Sequence, residues 1–182
     1  LSLVAGIGLA FLLDFLDDTV KTVDDVDRYL HIPALALIPA GRERGRLIGI
    51  PGTPQPTGPS DTTALAMISD ARSPIAEAYR HLRTSLLLSS AGKPPKTILI
   101  TSSQPAEGKT TTGINTAFML AQTGAQTLMI DCDLRRPRLH TQFGMSNAKG
   151  LTTWLSGEKN LDGLIQTCEK EPNLKVLTSG PV

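Results

Sequence analysis

The stretch that decides the fold runs from Lys96 to Asp133 and reads KTILITSSQPAEGKTTTGINTAFMLAQTGAQTLMIDCD. Lys96–Thr101 (KTILIT) is a short apolar run rich in Ile and Thr, which reads as a central strand. Gly113–Thr123 (GINTAFMLAQT) reads as a helix, with Gly124 as its stop signal. Gln126–Ile130 (QTLMI) is a second strand, delivering the chain to Asp131. Strand, helix and strand within about 35 residues make a βαβ unit, whose strands are expected to be parallel and buried.

Between the first strand and the helix lies Ser102–Thr112, SSQPAEGKTTT. The pattern G-x-x-x-x-G-K-S/T is matched at Gly108, Lys109 and Thr110, with Ser103 in place of the first glycine. A nucleoside triphosphate needs many backbone N–H donors converging on its oxygens, and a strand-to-helix loop supplies them. Gly108 lets the main chain approach without a side-chain clash, and Lys109 brings an ammonium to the β and γ phosphates. The Thr110 hydroxyl suits Mg²⁺, and Thr111 suits the α phosphate. The candidate nucleotide contacts are therefore Ser103, Gln104, Pro105, Ala106, Glu107, Gly108, Lys109, Thr110 and Thr111. A helix start with no ligand is the plainer reading of Gly-Lys-Thr, but the flanking strands favour a nucleotide site. The fingerprint G-x-G-x-x-G is absent, which argues against a dinucleotide cofactor.

Asp131-Cys132-Asp133 leaves the second strand, where alternation can aim both carboxylates at the same metal and phosphate region. Mg²⁺ takes one or two carboxylates and keeps several waters, so Thr110 and Asp131 are the candidate metal ligands. A pair of exposed turn acids is the alternative. Cys132 is expected to face the sheet interior. Arg135, Arg136 and Arg138 follow at once, and they offset the acids, grip phosphate or stay solvated, with the residues favouring none of the three. The fold class these elements imply is α/β, a P-loop NTPase-like parallel sheet with flanking helices.

Composition bounds the rest. The 182 residues carry 18 Lys+Arg against 17 Asp+Glu, which speaks against a nucleic-acid protein built on a broad basic surface. Only 4% of residues are aromatic, so stacking platforms for bases are missing too. Cys132 and Cys168, the two cysteines, make no disulfide framework or zinc spacing, and a reducing compartment fits. Leu1–Leu13 (LSLVAGIGLAFLL) is uncharged, yet shorter than the ~20 residues a membrane span needs. It reads as a buried helix, a signal-peptide core or the last part of a transmembrane helix, and the third is favoured, as neither a basic start nor a cleavage site is present. Residues 1–16 are thus expected to end a span, and 17–39 to form a juxtamembrane segment with a short helix from Thr22 toward Leu30 and a brief strand at Ala34–Ile38. The Pro- and Gly-rich residues 40–72 read as a linker, and residues 73–182 as the nucleotide-binding domain. Both ends are expected to be cut points within a longer chain. Ser73-Pro74 opens a helix with Ile75, Tyr79, Leu82 and Leu86 on one face, while Glu77, Arg80 and Arg83 lie on another.

These residues together resemble the cytoplasmic kinase end of a bacterial polysaccharide co-polymerase of the BY-kinase family, tyrosine autokinases fused to chain-length determinants. SSQPAEGKTT is similar to that family's first nucleotide motif and LMIDCDLRRPRLH to its second, while GLTTWLSGE and LKVLTSGPV resemble segments that follow. The apolar run and LDDTVKTVDDVDRYLHIPALALIP resemble the family's second membrane helix and juxtamembrane segment. Glu77, Arg80 and Arg83 match an E-x-x-R-x-x-R signature that contacts a neighbouring subunit, which implies a ring-forming homo-oligomer, in the family usually an octamer. Ala106 stands where the family more often has Gly, so that backbone is either ordinary here or slightly strained. A third, Asp-ending motif and an acceptor tyrosine-rich tail are expected beyond Val182.

The resemblance implies an ATP- and Mg²⁺-dependent protein-tyrosine autokinase at the bacterial inner membrane, with this region cytoplasmic, controlling polymerisation and export of surface polysaccharide. Its partners would be further copies of itself, the tails of neighbouring subunits and the export machinery, with no nucleic acid. Lys109, Asp131 and Asp133 are the candidate catalytic residues, Asp133 orienting or deprotonating the incoming phenol. A partitioning-type P-loop ATPase is one rival, disfavoured by Gln104 where such proteins often carry an extra Lys. The other is a membrane-anchored chain-length scaffold whose nucleotide site is not catalytic.

Overall fold

The computed structural model describes residues 6–9, 11, 26, 28, 31–39, 72–89 and 93–181. The chain divides into two units, residues 1–37 and 38–182. In the first, residues 6–9, 11, 26 and 28 are helical, and Ile7, Leu9 and Phe11 are exposed. Among the described residues no helix is long and apolar enough to cross a membrane. Most of the expected span, all but Val26 and Arg28 of the short helix from Thr22 and all but Arg72 of the 40–72 linker lie outside the described residues. Ala34–Ile38 forms no strand: Pro33 and Pro39 flank it, and proline cannot donate to a ladder.

In the second unit, helix α1 spans Pro74–Leu88. Ser73 caps it as expected, its Oγ accepting the Ala76 N–H at 3.1 Å, and Pro74 occupies the first turn, where no N–H is needed. Helix α2 spans Lys109–Ala121, beginning four residues earlier than the apolar periodicity suggested. The three threonines after Lys109 are mediocre helix formers, yet the left-handed Gly108 turns the chain directly into the helix. Gly124, at φ 87°, closes its far end with an N–H bond to the Ala121 carbonyl.

Strand β1, Thr127–Ile130, is followed by the short helices α3 (Leu139–Phe143) and α4 (Leu151–Leu155), then β2 (Ile165–Thr167) and β3 (Leu174–Leu177). The sheet order is β1-β3-β2. β1 and β3 are parallel in the register Thr127↔Leu174 to Ile130↔Leu177, whereas β2 runs antiparallel to β3. The sheet is therefore mixed rather than parallel. Connection length accounts for both pairings: the chain between β1 and β3 is long enough for a crossover, while residues 168–173 form a tight return. Within that return Glu171 donates to the Cys168 carbonyl and Leu174 to that of Glu171.

The expected first strand, 96–101, is not a strand. A β-rich run becomes one only when a ladder partner is present, and nothing among the described residues pairs with it. Leu99 is 86% exposed, although Ile100 lies beside Met129 at Gly113 of α2. The βαβ unit thus keeps its helix and second strand and lacks its first.

Helix α2 is covered on two sides, which explains its nearly all-round burial. Ile114, Ala117, Phe118 and Ala121 pack with Leu174 and Val176 of β3, Leu139 and Cys168, and Met129, Phe143 and Met145 close the margin. On the other side Met119 packs with Ala76 and Tyr79 of α1, flanked by Ile38, Ile75 and Leu82. Fully burying a side chain of this kind is worth about 1.5–3 kcal/mol, so these two contacts anchor α2 between sheet and helix.

Beyond β3 the backbone meets α4 at very close range. Leu151 and Thr152 donate to the carbonyls of Thr178 and Ser179, both at 2.8 Å. Asn147 Oδ1 accepts from the Gly180 N–H at 2.9 Å and its Nδ2 donates to the Gly180 carbonyl at 2.9 Å. A Cβ at Gly150 would sit 2.3 Å from both the Thr178 oxygen and the Gly180 nitrogen, so only glycine fits. Gly150→Ala is accordingly expected to destabilise the protein by about 3 kcal/mol or more, at the upper end of overpacking costs because the clash is with main chain. A urea denaturation midpoint unchanged from the parent would contradict this packing.

Candidate nucleotide site

β1 brings the chain to Asp131 in register with β3, its N–H donating to the Leu177 carbonyl at 2.9 Å. The Asp131 side chain is only 6% exposed and is engaged at both oxygens. Oδ1 accepts the Asp133 N–H, and Oδ2 accepts those of Arg138 and Leu139, all at 3.1 Å. Arg138 is the N-cap of α3 and supplies no side-chain acceptor, so Asp131 does that work from across the loop. A residue read as a metal ligand is thus first of all the clamp on residues 132–139. A carboxylate oxygen has two lone pairs, and Oδ1, with one N–H bound, keeps one.

Turning Asp131 inward turns Cys132 outward: the thiol expected to face the sheet is exposed, and Cys168 is the buried cysteine. Asp133 comes back toward the loop before α2. Lys109 Nζ donates to its Oδ2 at 2.7 Å, both side chains about one-third exposed, and the Arg136 N–H binds Oδ1 at 3.1 Å. The hydrogen bond from Lys109, reinforced by the Arg136 amide, holds the Asp133 carboxyl below its ordinary value. The arginines Arg135, Arg136 and Arg138 are exposed.

Lys109 is the first residue of α2, and Thr112 N–H to Gly108 O, at 2.8 Å, is the bond that starts the helical ladder. The N–H groups of Lys109, Thr110 and Thr111 precede it, as at any helix start, and Gly108 has no side chain to cap them. Gly108 is left-handed at φ 86°, as is Ala106 at φ 67°. Of the two readings of Ala106, the strained one holds, since a left-handed Ala costs roughly 1–2 kcal/mol. Within the loop, Glu107 accepts hydrogen bonds from the Ser103 and Gln104 amides. Ser103, Gln104, Pro105, Ala106 and Glu107 are exposed, and Thr110 and Thr111 half-buried.

On α1, Glu77 and Arg80 form an ion pair within the helix, and Glu77 is largely exposed while Arg83 is half-buried. Tyr79, between them in sequence, points the other way. Its buried hydroxyl hydrogen-bonds Thr112 and Asn115 of α2, one turn behind the loop, and burial pushes its pKa up. Asn115 in turn donates to the Thr111 carbonyl at 2.8 Å. The sequence signal for that link was a tyrosine on the apolar face, because a buried phenol needs a partner. Among the described residues no cluster of three or more His, Cys, Asp or Glu could cage a metal. That arrangement still suits Mg²⁺, which relies on few protein ligands together with phosphate oxygens and waters.

No protein-family model matches the chain. It is similar to tyrosine-protein kinase YwqD of Bacillus subtilis, with 42% identity over 107 residues, 59% of this chain and 45% of that protein. The kinase domain of the Escherichia coli tyrosine kinase ETK superposes with a TM-score of 0.72 at 29% identity, covering 90% of this chain and 61% of that one. The chimerical protein CapA2B2 superposes with a TM-score of 0.67 at 30% identity, covering 88% and 61%. The chain is therefore similar in sequence to a protein named as a bacterial tyrosine kinase and in fold to a solved tyrosine-kinase domain. It spans about half the length of YwqD.

The two acids are expected to separate on mutation. Asp131→Ala strands the three amides on its carboxylate and should cost about 2–4 kcal/mol in urea unfolding. Asp133→Asn breaks a pair about one-third exposed and open to solvent screening, and should cost less than about 1 kcal/mol. Because the Asp133 pKa is lowered by folding, its contribution is complete above its ordinary value of 3.8 and is lost as the pH falls through the lower folded value. The stability gap between parent and Asp133→Asn should hold constant at neutral pH and close on acidification. A gap that widens below pH 3.8 would contradict the Lys109–Asp133 pairing.

Proposed function

We propose that this chain is the nucleotide-binding part of an ATP-dependent bacterial protein-tyrosine autokinase that regulates polymerisation and export of a surface polysaccharide. The observation that carries the reading is Lys109: it opens α2, and its ammonium meets Asp133 of the loop that leaves β1. The relationship to proteins named as tyrosine kinases supplies the reaction class.

The triphosphate would lie over the start of α2, held by the amides of the 103–111 loop other than those of Ser103 and Gln104, which Glu107 holds, by Lys109 and by the helix dipole. Lys109 is parked on Asp133. On binding it would exchange that partner for the β and γ phosphates and release the Asp133 carboxylate toward the acceptor. Freed from Lys109, Asp133 keeps the low basicity of an ordinary carboxylate and serves better to orient a tyrosine hydroxyl than to strip its proton beforehand. Phosphoryl transfer through a loose transition state asks for positioning and charge neutralisation more than for early deprotonation. Mg²⁺ would be held by the Thr110 hydroxyl and, directly or through water, by the spare lone pair of Asp131 Oδ1, and it would supply charge neutralisation on the phosphate oxygens.

Acceptor tyrosines would come from neighbouring copies of the same chain, assembled in a ring, by family resemblance an octamer, through Glu77, Arg80 and Arg83. In that contact Arg80 would trade its bond to Glu77 for one across the subunit boundary. Phosphate added to the tails, about −1.5 to −2 charges per site, would loosen the ring by repulsion. The assembly would act at the inner membrane, this region on its cytoplasmic side, beside the export machinery.

Incubating the full-length protein with ATP and Mg²⁺ should give a phosphotyrosine signal that Lys109→Met reduces at least about 100-fold, the scale of losing one charged transition-state contact. Equal signal in both proteins, or none in either, would overturn the autokinase reading. Replacing Glu77, Arg80 and Arg83 together by Ala should shift the light-scattering mass toward monomer, while nucleotide binding by each subunit persists.

A further inference from the structure

Four hydrogen-bond contacts converge on one side chain in the phosphate loop. Glu107 Oε2 accepts the Ser103 N–H at 3.0 Å and the Gln104 N–H at 3.1 Å. The Ser103 hydroxyl lies 3.0 Å from Oε1 and 3.2 Å from Oε2. The carboxylate therefore reaches backward over Pro105 and Ala106 and joins the two sides of the turn they make. Proline followed by a left-handed residue is the pattern of a type II turn, whose third position ordinarily requires Gly or Asn. Here that position is Ala106, at φ 67°, and an alanine there disfavours the turn.

Something must hold the turn against that preference, and the Glu107 carboxylate is the group bonded across it. It is ionised for the same reason: the Gln104 amide and the Ser103 hydroxyl hold its pKa below the ordinary carboxylate range. A second negative charge would repel a triphosphate if it faced the phosphates, but its oxygens are turned onto Ser103 and Gln104. That leaves the amides on the far side of the turn, from Gly108 into α2, for the ligand.

We propose that Glu107 is a positioning residue, a staple across the Pro105–Ala106 turn that keeps the loop in its phosphate-binding shape before the nucleotide arrives and so takes the place of a glycine at position 106. The proposal rests on the nucleotide-site reading above. Glu107 moves from the group of direct nucleotide contacts to the group that shapes them. Removing the staple lowers the fraction of molecules with a competent loop, and the apparent Kd rises by the inverse of that fraction.

The test measures binding of a fluorescent ATP analogue to the full-length protein with Mg²⁺, alongside thermal melting. Glu107→Ala is expected to weaken binding about tenfold or more. Glu107→Gln keeps an acceptor oxygen for Ser103 and Gln104 and should stay within about threefold of the parent. Adding Ala106→Gly to Glu107→Ala should restore affinity to within about threefold, because glycine adopts the left-handed turn unaided. If Glu107→Ala does not fold, the double variant compared with Ala106→Gly alone carries the same test, with equal affinities expected. Glu107→Ala binding as tightly as the parent, or more tightly, would overturn the staple, as would equal losses in Ala and Gln variants that glycine does not rescue. A parent protein that binds no nucleotide would overturn the site itself, an outcome distinct from either.

Discussion

Asp131 leaves the sheet with its N–H on Leu177 and its carboxylate on three amides of the following eight residues. Take that carboxylate away and residues 132–139 lose the three bonds that pin them to the end of β1, so Asp133 loses the main support for its place opposite Lys109. The rest of the site depends on this arrangement. Charge-assisted hydrogen bonds of this type are roughly twice as strong as neutral ones, and three of them fix a segment that has no regular structure of its own. The structural job of this acid would persist with or without a ligand.

Helix α2 gives the complementary constraint. Its far face is packed on β3 and its near face on α1, so its first turn and the lysine there cannot drift relative to the carboxyl end of the sheet. Tyr79 ties this packing to the loop: its ring fills the contact between the helices while its hydroxyl bonds Thr112 and Asn115. The helix that carries Glu77, Arg80 and Arg83 is in that way one residue removed from the helix that carries Lys109.

Much of this was legible in the residues. Ser73-Pro74 announced the start of α1, Gly124 the end of α2, and Gly108-Lys109-Thr110 the turn from loop into helix at the candidate site, because each depends on local rules of capping and backbone freedom. What the residues did not disclose depends on partners. KTILIT has the composition of a strand, but a strand exists only beside another, and none of the described residues lies there to pair with it. β2 is three residues long and too short for any alternation to register, so the antiparallel edge of the sheet went unread. The side to which Cys132 turns, and the return of Glu107 onto its own loop, follow from φ values and a buried neighbour that no spacing encodes.

The outward turn of Cys132 has a practical side. The chain's other cysteine, Cys168, is buried, so the native thiol that a maleimide dye meets in the folded unit sits between the two acids. A fluorophore attached there would report on the surroundings of Lys109 and Asp133 without any engineered handle. Rearrangement of Lys109 and Asp133 would be visible in real time as a change in its emission.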